Sequence, residues 1–130
     1  MRPLFHAVAV FAISIASLSA GNILLKMGMD RFGAQTAAGI PVLQALAKCP
    51  QLPLGIVLMI IQFLGTLILF KWGWDASVVV PMMGLCYVGT AILGRLMLNE
   101  PVNSLRWLGI FLILAGIFCV AHSVSKANTP

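Results

Sequence analysis

Four apolar runs, at residues 4–26, 53–72, 76–98 and 105–124, take up most of this chain, and each is about the length needed to cross a bilayer. Lipid is therefore its solvent. Of its 130 residues 61% are hydrophobic and 8% charged, and the mean hydropathy is +1.05, more apolar surface than a soluble domain can cover. The expected fold is an all-α integral membrane protein: four transmembrane helices in an up-down bundle, paired as a dimer, forming a single membrane domain over residues 1–130. No separate soluble domain is expected.

Eight Lys and Arg stand against Asp30, Asp75 and Glu100, giving a formal charge of +5. The basic residues sit singly near the ends of apolar runs, which suits anchoring and excludes a nucleic-acid patch. Arg2, Lys71 and Lys126 flank one face, while Lys26, Arg31, Lys48, Arg95 and Arg106 flank the other. The count leans towards cytoplasmic odd-numbered loops, with the opposite or a dual orientation left open. Arg2, a greasy stretch and Ser19-Ala20 also fit a cleavable signal peptide, but helix-compatible residues continue to Lys26, which favours a first span.

Gly28, Asp30 and Gly33 mark a turn after that span. Residues 40–48, bounded by Pro41 and Pro50, read as a short amphipathic surface helix. Lys71, Trp72 and Trp74 close the second span at an interface, Asn99-Glu100-Pro101 ends the third, and Asn103 or Ser104 caps the fourth before a polar tail ending in Pro130.

His6 and His122 lie near the chain ends, and no Ser, His and carboxylate fall on a common path, so catalysis is not expected. Cys49, Cys86 and Cys119 lack metal-ligand spacing and read as small packing residues; no metal or cofactor is expected. The spans do carry polar groups, which in hydrocarbon need a reason. Ser19, Asn22 and Lys26 share one helical face of span one, with Ser14, Ser17 and Gly21 beside it. Close packing is the expected role of the serines and glycines. Asn22 and Lys26 are candidates for substrate contact, with interfacial anchoring of Lys26 as the alternative.

Arg95 and Glu100, at the end of span three, are candidates for an anionic headgroup or for an ion pair fixing the hairpin. Gln62 in span two and Tyr87 in span three add a mildly polar wall or interhelical contacts. Pro81 removes a backbone hydrogen bond and is the candidate hinge of span three. Gly109 and Gly116, seven apart on span four, form a smooth stripe suited to a dimer interface.

Several stretches together resemble the drug/metabolite transporter superfamily, in particular its small four-span branch of small multidrug resistance-like proteins. They are Leu24-Leu25-Lys26, Pro81-Met82-Met83, Leu98-Asn99-Glu100-Pro101-Val102 and Trp107-Leu108-Gly109 through Leu114-Ala115-Gly116. Within that branch the chain looks most like the small subunits of the flippase for undecaprenyl-phosphate-aminoarabinose. The resemblance implies movement of a lipid-linked amino sugar across the bacterial inner membrane for lipid A modification. It also implies a homodimer, or a heterodimer with a similar small subunit, and a lipid phosphate held by Lys26 and Arg95. Multidrug members carry a proton-coupling glutamate midway along span one, where this chain has Leu18, and a substrate-stacking tryptophan where it has Met83. Both departures weigh against the alternative of a small multidrug or metabolite exporter. A non-transporting membrane subunit that stabilises a partner is the remaining class.

Overall fold

The computed structural model describes residues 4–101 and 103–127, and every regular element among them is helical. Arg2, Val102 and Pro130 lie outside the described residues. In chain order the helices are α1 (Leu4–Ala37), α2 (Val42–Ala47), α3 (Gln51–Lys71), α4 (Ala76–Met83), α5 (Leu85–Met97) and α6 (Ser104–Ala127). Four segments are long and apolar enough to cross a membrane: Phe5–Ala37, Gln51–Lys71, Ala76–Met97 and Ser104–Ser123. The chain is a multi-pass membrane protein. Its outward faces carry side chains such as Phe5, Leu43, Leu96, Leu105 and Phe118, each more than 70% exposed and suited to lipid contact.

The first span departs from the expected turn at Gly28, Asp30 and Gly33, because α1 runs unbroken through all three positions to Ala37. Its 34 residues rise about 51 Å, well beyond a hydrocarbon core of about 30 Å, so its last turns project from the membrane. The reason is packing. A Cβ on Gly28 would stand 2.8 Å from the Leu52 side chain, so glycine serves here for close approach of α3 and not for a turn.

The same chemistry joins α1 to α3 along their length. A Cβ at Gly21 would stand 3.2 Å from the Gly55 carbonyl oxygen, and one at Gly55 would stand 3.1 Å from that of Gly21; Gly65 lies against the Ser14 hydroxyl. Ser19 turns towards α5, donating to the Cys86 carbonyl at 3.2 Å and packing on Gly89. Ser14, Ser17 and Ser19 are all buried, so the small residues of span one are its packing surface. At the far end Phe11, Leu69, Val79 and Met83 form a cluster, and Trp74 stacks edge-on against Phe11 at 5.5 Å.

The third span breaks at Gly84. Pro81 supplies no amide hydrogen, its carbonyl accepts the Gly84 amide at 2.9 Å in a tighter turn, and α5 resumes at Leu85. The discontinuity lies three residues beyond the proline. Asn99, at φ 53, takes the left-handed conformation that ends α5, and the Glu100 amide turns back to the Gly94 carbonyl at 3.3 Å. Asn103 then caps α6, its Oδ1 accepting the Arg106 amide at 2.9 Å.

Candidate functional site

While α1, α3 and α5 pack closely, α6 touches α4 and α5 only lightly and leaves a cleft between them. Its inner part, about 520 Å³, is walled by Leu18, Pro81, Met83, Cys86, Ile117 and Val120 and is mainly apolar. Tyr87 and Ile113 also border the outer part, about 430 Å³, so the two join. There Arg95, Glu100 and Arg106 join a lining that stays mainly apolar. A further recess of about 410 Å³ opens beside it, among Arg95, Asn99, Glu100 and Asn103.

Each charged group is positioned by its backbone. Arg95 lies in the last turn of α5, Glu100 is returned over Gly94 by the left-handed Asn99, and Arg106 is fixed in the first turn of α6 by the Asn103 cap. The Glu100 carboxylate lies 3.7 Å from where a Cβ on Gly94 would stand, an ordinary contact distance. The Thr90 hydroxyl, also on this wall, is buried and has no hydrogen-bond partner among the described residues.

Of the sequence candidates, the cleft brings together Tyr87, Arg95 and Glu100, with Pro81 on its inner wall. Gly109 and Gly116 border it too, and a Cβ on either would meet nothing within 4 Å. Glycine contacts close α1 against α3, and the cleft lies on the other side of the third span. Lys26 stands apart in an exposed ion pair with Asp30 at 3.0 Å, although Glu100 is within its electrostatic reach. Asn22 is half-buried on α1, and Gln62 donates to the Thr66 hydroxyl at 3.0 Å within α3. Sequence reasoning left Arg106 out of the site. Its signal was the cap: a residue three beyond Asn103 lies in the first turn of a helix whose neighbour carries Arg95 in its last turn.

No family model matches the chain, and no solved structure matches it. Two curated bacterial proteins do, both named Probable 4-amino-4-deoxy-L-arabinose-phosphoundecaprenol flippase subunit ArnE. The first, from Pseudomonas syringae pv. syringae (strain B728a), is 46% identical over 44 residues, covering 34% of this chain and 41% of the relative. Over that stretch the chain is similar to a flippase subunit. The second, from Pseudomonas savastanoi pv. phaseolicola (strain 1448A / Race 6), has the same identity over 44 residues and is covered to 39%. The match thus spans about two fifths of each relative. The shared name describes a transporter component and not an enzyme, in keeping with the small-subunit flippase resemblance read from the motifs.

Proposed function

We propose that the chain is a flippase subunit that moves an undecaprenyl-phosphate-linked amino sugar across the bacterial inner membrane for lipid A modification. The observation that carries this reading is the cleft between α4/α5 and α6, apolar in its depth and bearing Arg95, Glu100 and Arg106 at one end. A lipid phosphate needs that combination: hydrocarbon contact for the chain and forked cationic donors for the head. The similarity to the ArnE subunits supports the same substrate class.

In this reading Arg95 holds the phosphate and Tyr87 and Glu100 meet the sugar. The discontinuity between Pro81 and Gly84 lets the third span flex as the substrate passes. A bundle this small encloses little volume, so a second copy or a similar small subunit closes over the cleft beside the Gly109 and Gly116 stripe to complete the path.

The test is the amount of lipid-linked aminoarabinose on the outer leaflet, together with polymyxin resistance, in cells lacking the gene. A loss restored by the intact gene and not by Arg95→Ala supports the reading. An unchanged phenotype with proven expression in the parent strain refutes it.

A further inference from the structure

Building on the flippase reading, we infer that the cleft mouth recognises a zwitterionic headgroup: Arg95 and Arg106 take a phosphodiester, and Glu100 takes a primary ammonium on the attached sugar.

Three charged side chains border one space there, and opposite charges so placed ordinarily collapse into ion pairs. Among the described residues the one ion pair within 4.0 Å is Lys26 with Asp30, so Glu100 pairs with neither arginine. The backbone keeps them apart. Glu100 is tied to the end of α5 through the Gly94 carbonyl, whereas Arg106 belongs to α6 and is set by the Asn103 cap. Ligand-sized space lies between the groups instead of a salt bridge.

The sign pattern gives the ligand its chemistry. A site for an anionic head alone gains nothing from a carboxylate at its mouth, because a like charge beside a phosphate opposes binding. Two cations and one acid suit a head whose phosphodiester carries one negative charge and whose sugar carries one positive charge. The bound site then keeps a single excess positive charge, and each buried ligand charge has a partner. The hydrocarbon depth commits the ligand to a lipid-linked form.

The experiment measures binding to the purified full chain in nanodiscs. Its probes are undecaprenyl phosphate, undecaprenyl-phosphate-aminoarabinose, the N-acetylated form of that lipid, and free aminoarabinose phosphate without a tail. The amine-bearing lipid is expected to bind about tenfold or more tighter than its N-acetylated form, the worth of a charge-assisted contact. Glu100→Gln should erase that preference, Glu100→Asp should retain part of it, and Arg106→Ala should weaken all the lipids alike. Equal affinity of the intact chain for the amine and N-acetyl lipids overturns the zwitterion site and leaves the flippase reading standing, and this comparison needs no variant to fold. Failure to bind any polyprenyl phosphate overturns both. Tight binding of the tailless sugar phosphate overturns the assignment to a lipid.

Discussion

Replacing Gly55 by alanine tests whether the first two spans are held by backbone proximity. The new Cβ would stand 2.8 Å from Leu25 Cγ and 3.1 Å from the Gly21 carbonyl oxygen. Carbon atoms settle at about 3.5 Å or more, so the overlap with Leu25 is about 0.7 Å. Leu25 can rotate, but the Gly21 oxygen is backbone and yields only if α1 and α3 separate by a few tenths of an ångström. Overpacking of this kind costs about 1–3 kcal/mol, and the better helix propensity of alanine returns at most about 1 kcal/mol. A net loss of about 0–2 kcal/mol results from the two effects. Gly109→Ala is the matched control, since nothing lies within 4 Å of its Cβ, and it should be neutral or slightly stabilising. Reversible unfolding in mixed micelles with increasing SDS reads both. Equal shifts for the two variants would refute the close α1–α3 crossing.

Gly116→Phe fills open space on the cleft wall, so it should leave insertion and helicity intact while transport of the lipid falls at least tenfold; crosslinking of the same variant reports whether pairing through this stripe is also lost. Asn103→Ala removes the cap of α6 and should cost about 1 kcal/mol in the unfolding assay, with Asn103→Asp restoring most of it. Lys26→Ala breaks an ion pair whose side chains are 52% and 56% exposed, so the unfolding midpoint should stay unchanged; reduced flipping by the stable variant would then assign Lys26 to the substrate.

The four spans were legible because lipid demands a long apolar run for each crossing, and little else produces residues 53–72 or 105–124. The fate of Gly28 and Gly33 was not legible. In water glycine ends helices, whereas here the approach of Leu52 to Gly28 repays the lost propensity, and that contact is visible only in three dimensions. Pro81 signalled a break in span three but not its place, since the freed geometry is resolved at Gly84. The charged end of the site was half legible: Arg95 and Glu100 drew notice as ionisable groups near a span, and Arg106 passed for an interfacial anchor. Its inclusion follows from the turn. Asn99 at positive φ and the Asn103 cap fold the hairpin so that the first turn of α6 faces the last turn of α5.

The two sides of the bundle are built on different packing chemistry, and that contrast locates where it can deform. Within a bilayer lipid tails are as apolar as leucine, so helices associate through close van der Waals contact and polar bridges, not through burial from water. Spans one to three have both, at Gly21 with Gly55, Gly65 with Ser14, and Ser19 with the Cys86 carbonyl. The small residues of α6 have neither: Gly109 and Gly116 face open space, and Ile117 is the buried hydrophobic that seats it. α6 approaches the third span closely at Gly84, where a Cβ would stand 3.2 Å from the Ile117 side chain, and beyond that contact little opposes its movement away from α4 and α5, while the Asn99–Asn103 hairpin keeps its first turn beside Arg95. On the proposed flippase reading, a lipid entering sideways from the bilayer would displace lipid tails from the cleft, leave the glycine-packed core in place, and meet Arg95, Glu100 and Arg106 at the end beside the hairpin.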